Sequence, residues 1–128
     1  MAVCVTAQHR QMLDQVLNLF DIHPDVDLDL MQPDQRLASL TAEILTHIEP
    51  VLEDLQPDWV LVQGDTTTVM ATALLCYYNR IHVGHVEAGL RSFDRSMPEE
   101  INRIVTDAIS DFLFTPSPDG DENLKREG

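Results

Sequence analysis

Three carboxylates stand where acid/base chemistry is chemically reasonable. Asp65 lies in Gln63-Gly64-Asp65-Thr66-Thr67-Thr68, Glu87 in His85-Val86-Glu87-Ala88-Gly89, and Glu99 in Pro98-Glu99-Glu100-Ile101-Asn102-Arg103. Glu87 follows an apolar run and precedes two small residues. A carboxyl group there is partly buried, so its proton affinity can be tuned upward for general acid or base work. An ion pair with Arg91 or Arg95 is the competing account. Asp65 suits either of two roles, capping the helix behind it through the amides of Thr67 or Thr68, or catalysis. Gly64 permits close backbone approach, and the hydroxyls and amides of Thr66 and Thr67 suit a phosphate or a sugar hydroxyl. The segment lacks the Lys and second Gly of a P-loop. Glu99 and Glu100 behind Pro98 also read as the first turn of a helix, where acids offset the helix dipole. His82 and His85 are three apart on a strand and face opposite sides, so they predict no metal site.

The elements that would hold these groups follow from hydrophobic spacing. Short apolar runs at 3–6, 59–62, 81–86 and 111–114 read as strands, and 26–30 alternates apolar residues with acids as a brief, half-exposed one. Helical spacing covers 11–20, 35–55, 66–78 and 98–110, with Pro50 set to kink or divide the second helix. Residues 118–128 read as a polar helix or a frayed tail. The order β-α-β-α-β-α-β-α-β-α, with strands apolar on both sides, predicts a Rossmann-like α/β fold: a parallel sheet with helices on both faces. In such a sheet ligands bind beyond the carboxyl ends of the strands. Polar clusters end three of them, at Gln8-His9-Arg10, Gln63–Thr68 and His85–Glu87, which predicts one rim carrying a site with Asp65 and Glu87 opening into a common cleft.

With 128 residues, the chain is one domain at most. Its 22 acids against 8 bases give a formal charge of −14, which repels nucleic acid and anionic membrane. No apolar run reaches the roughly 20 residues needed to span a bilayer. Cys4 and Cys76 sit in apolar segments and read as reduced core thiols of a cytoplasmic protein.

The segments Val3–Asp14, Gly64–Thr68 and Gly84–Arg91, together with Pro98–Arg103, closely resemble the non-hydrolysing bacterial UDP-N-acetylglucosamine 2-epimerases, in register over essentially the whole chain. The resemblance implies one half of a glycosyltransferase-B-like two-domain fold, with residues 1–128 a partial N-terminal domain lacking a first strand and the C-terminal domain. It implies interconversion of UDP-GlcNAc and UDP-ManNAc without cofactor or metal, by anti elimination of UDP to 2-acetamidoglucal and re-addition. It places the catalytic carboxylates on Asp65, Glu87 and Glu99. It assigns substrate-binding or regulatory roles to Gln8, His9, Gln11, Gln35, Thr66, Thr67, His85, Arg91 and Arg103. The Arg that supports a second, activating UDP-GlcNAc in some members is matched here by Asp34, and the loop Ser92–Met97 is short and lacks the usual aromatic and Pro. The implied partners are a UDP-sugar and a second copy in a homodimer, with no nucleic acid and no membrane. A binding module that kept the fold and lost the chemistry is the alternative. A phospho-receiver domain is set aside, because no Lys follows the strand that ends at Phe114-Thr115-Pro116.

Overall fold

The computed structural model describes residues 1–7 and 10–128. Its elements alternate as the spacing predicts: β1 (Cys4–Val5), α1 (Arg10–Leu19), β2 (Val26–Asp27), α2 (Leu37–Leu55), β3 (Trp59–Gln63), α3 (Thr67–Tyr78), β4 (His82–Val86), α4 (Pro98–Ile109), β5 (Phe112–Phe114) and α5 (Pro118–Glu127). All pairings are parallel. Among the described residues they fall into two sheets rather than one continuous sheet, β1–β2 and β3–β4–β5. The fold is nevertheless the parallel, Rossmann-like α/β class.

The core lies on the helix side of β3–β5. Leu40, Ile44, Ile48 and Leu52 recur at helical spacing on α2 and pack with Ala71, Ala73, Leu75 and Cys76 of α3 and Val83 of β4. Helix α2 runs unbroken through Pro50, so the predicted division does not occur. Pro50 forfeits its N–H bond and crowds the Thr46 carbonyl, but buried Ile48 and Leu52 on either side hold the turn. It stops at Gln56, whose left-handed φ of 46° directs its N–H to the Leu52 carbonyl.

The opposite face of β3–β5 carries Trp59, Leu61, Phe112 and Phe114, all exposed. Trp59 stacks on His82 at 4.7 Å and meets Phe112 at 5.5 Å. Between β1 and β3 lies an apolar cleft of about 1020 Å³, walled by Met1–Cys4 on one side and Asp58–Val62 on the other. That opening explains a correction: Cys4 is exposed, not a core thiol, whereas Cys76 is buried as expected. Both are free thiols.

Candidate active site at the strand ends

The carboxyl end of β1 meets the start of the helix that follows β3. The Thr6 hydroxyl lies 3.0 Å from that of Thr68 in the first turn of α3. Strand β3 ends at Gln63 and β4 at Val86, paired in register. Gln63 donates its amide to Glu87 at 2.9 Å, and the Gly64 N–H donates to the Val86 carbonyl at 3.1 Å. Thr6, Gln63 and Glu87 therefore share one rim.

Asp65 does not cap α3. That role falls to Thr66, whose hydroxyl accepts from the Val69 amide at 3.3 Å. The Asp65 carboxylate is left for Arg103, which donates to it at 2.6 Å, while Asn102 donates to the Asp65 carbonyl at 3.0 Å. Glu87 is half-buried and pairs with neither Arg91 nor Arg95; its partner is Gln63. Its φ is 71°, a left-handed conformation that a non-glycine residue adopts only under constraint. Gly64, at φ 93°, lies against it: a side-chain carbon there would stand 3.7 Å from the Glu87 carboxylate.

Helix α4 organises this rim from behind, and sequence reasoning missed most of its part. Glu100 is fully buried, accepting from the Phe93 amide at 2.6 Å and from Arg103 at 3.0 Å. Burial pushes its proton affinity up, but those donors outweigh it and hold Glu100 below the usual range. Asp107, also buried, accepts from the Gly89 amide at 3.0 Å, from Arg91 at 2.9 Å, and faces His85 at 2.6 Å. The signal was present: Glu100, Arg103 and Asp107 fall at i, i+3 and i+7, one stripe of a helix, where apolar residues usually stand.

The remaining sequence-predicted positions scatter. Glu99 is exposed on the first turn of α4. Thr67 is buried and Thr66 half-buried at the start of α3. Arg91 is spent on Asp107 and, at 2.8 and 2.6 Å, on Glu127 of α5. Gln11 is exposed on α1, and Gln35 stitches its own loop by donating to the Leu30 carbonyl. Gln8 and His9 lie outside the described residues. Among the described residues no three metal-ligating side chains cluster, and no helix is long and apolar enough to cross a membrane.

Fold and site together define a Rossmann-like α/β domain with a carboxylate just beyond the end of each of two adjacent parallel strands. The chain belongs to the UDP-N-acetylglucosamine 2-epimerase family, whose sequence signature matches residues 1–128. It is 55% identical over 127 residues to the UDP-N-acetylglucosamine 2-epimerase of Salmonella typhimurium, covering 98% of this chain and 34% of the relative. The Escherichia coli K12 enzyme of the same name is 54% identical with the same coverage. The crystal structure of UDP-GlcNAc 2-epimerase from Neisseria meningitidis bound to UDP-GlcNAc superposes with a TM-score of 0.93 at 50% identity, over 98% of this chain and 34% of that one. That from Methanocaldococcus jannaschii, in complex with UDP-GlcNAc and UDP, gives 0.84 at 47% identity, over 88% and 31%. The chain thus spans about a third of the length of the relatives it matches.

Proposed function

We propose that this chain forms part of an enzyme that interconverts UDP-GlcNAc and UDP-ManNAc, with Asp65, Glu87 and Glu99 as its acid/base carboxylates. The observation that carries the reading is the fixed pair on the rim, Glu87 held by Gln63 and Asp65 by Arg103. Inverting C2 requires a proton to leave one face of the sugar and return on the other, which needs two separately placed groups. Loss of the C2 proton with anti departure of UDP gives 2-acetamidoglucal. Protonation from the opposite face with return of UDP to C1 completes the exchange and balances every atom. Glu87, held by Gln63, and Asp65, held by Arg103, are the two separately placed groups. The partner is a UDP-sugar, the assembly a homodimer, and the compartment the cytoplasm. A formal charge of −14 gives no basic surface for nucleic acid.

The rim arginines Arg91 and Arg103 are both committed to carboxylates, so the diphosphate must find its cations elsewhere. The test is C2 deuterium uptake into UDP-GlcNAc in heavy water. A full-length enzyme carrying this chain should exchange, and its Glu87→Gln and Asp65→Asn variants should lose about 100-fold or more in kcat. The 128-residue chain alone should not exchange detectably. Undiminished exchange by Glu87→Gln would remove Glu87 from the mechanism.

A further inference from the structure

His85 stands on the face of β4 that the helices cover, and it is fully buried there. Its Nδ1 lies 2.6 Å from an Asp107 carboxylate oxygen and its Nε2 lies 2.8 Å from the Gly64 carbonyl. Both partners only accept. A neutral imidazole donates from one nitrogen alone, and would press the lone pair of the other against an oxygen closer than 3 Å. Only the imidazolium satisfies both contacts.

We propose that His85 is a positioning residue: a protonated imidazolium, locked between Asp107 and the Gly64 carbonyl, that sets the spacing of Asp65 and Glu87. This rests on the epimerase reading above. The Gly64 peptide is tied to β4 on both sides, its N–H to Val86 and its carbonyl to His85. Asp65 follows immediately, so the clamp fixes where its carboxylate emerges beside Glu87. The other Asp107 oxygen holds the Gly89 amide and Arg91, so one ion pair ties the loops after β3 and β4 to α4. Burial alone would push the His85 proton affinity down. The Asp107 and Gly64 bonds and the charges of Asp107 and Glu87 outweigh it, and the net direction is up. The charges acting on the ring are Asp107 of α4 and Glu87 at the end of β4; Arg91 faces the other Asp107 oxygen, and the Asp65–Arg103 pair lies next to Gly64.

The experiment has two arms. NMR of the imidazole nitrogens in the unsubstituted chain should show both protonated at neutral pH. In the full-length enzyme, His85→Phe should lower kcat about 100-fold, because misplacing a reacting group by an ångström costs that much, with KM changed less than about threefold. His85→Gln, whose amide still donates to Gly64, should recover part of that loss. A role in folding alone would move stability and leave the split between kcat and KM untouched. A neutral His85 at neutral pH, or wild-type kcat in His85→Phe, overturns the proposal. If the unsubstituted enzyme shows no exchange at all, the epimerase reading fails while the nitrogen spectrum still decides whether the clamp is charged. Should His85→Phe not fold, the spectrum and His85→Gln carry the decision.

Discussion

Glu87 holds a backbone conformation that costs a non-glycine residue about 1–3 kcal/mol, and the surroundings supply the restraint. Gly64 N–H bonds to the carbonyl before it, Ala88 N–H bonds to Phe114, and Gln63 holds its side chain. Strain of this kind persists where the neighbours over-determine a position, and here it turns a carboxylate back over the rim. Two residues on, Gly89 meets a stricter demand. Its φ is 82°, and a Cβ there would lie 2.5 Å from the Gly120 carbonyl oxygen of α5, a backbone atom that cannot swing aside. Gly89→Ala should therefore destabilise the chain by at least about 2 kcal/mol, combining left-handed strain with a backbone clash. Urea denaturation measures this directly, and a loss under about 0.5 kcal/mol would mean the loop has room that the contacts deny it.

Helix α4 does most of the positioning, and it marks where sequence reading succeeded and stopped. Apolar periodicity located every described element but the last, because burial on one side of a helix or strand is what periodicity records; α5, read as a polar helix or a frayed tail, has only Leu124 to record it. The rim was legible too, since polar residues directly after apolar strands are conspicuous. Glu100, Asn102 and Asp107 were not, because a buried stripe is expected to be apolar, and a charge there is explained only by partners distant in sequence: Phe93, Asp65, His85. The break between the sheets was equally hidden, as strand pairing is a long-range property that no local pattern carries. The Asp107–His85 pair also sets a pH window. Burial pushes Asp107 up, but His85, the Gly89 amide and Arg91 hold it below its ordinary 3.8. A depressed carboxylate contributes stability above its unfolded value, lost as pH falls through the folded one. His85, raised above 6.5, contributes stability below that value, lost as pH rises through its folded one. Wild type should exceed Asp107→Asn in stability most strongly between these limits, with the gap narrowing at both ends. A gap that is constant with pH, read from urea midpoints across the range, would show that the pair is not ionised.

At the scale of the whole molecule, the apolar surface is divided unevenly. One face of β3–β5 is packed by α2, α3 and α4, while the other leaves Leu61 64% exposed beside Trp59, Phe112 and Phe114. Helix α1 likewise exposes Met12, Val16 and Leu19, and it is tied down chiefly by Arg10, which bridges Asp14, Asp27 and Asp29. An aromatic sheet face beside an apolar cleft is a surface that seeks cover. A symmetric contact between two copies would bury eight of these side chains, worth roughly 10 kcal/mol for their exposed halves. Association costs start near 4 kcal/mol, leaving about 6, a dissociation constant of tens of micromolar. The charge of −14 on each copy opposes the contact, so added salt should strengthen it, the reverse of an interface held by ion pairs. Sedimentation of the chain either side of about 50 micromolar should show mass rising with concentration and with salt. Leu61→Lys, at a position 64% exposed, should stay monomeric and still fold. A wild-type chain that sediments as a clean monomer throughout would show that this face does not pair with itself, and association unaltered by Leu61→Lys would move the contact to α1.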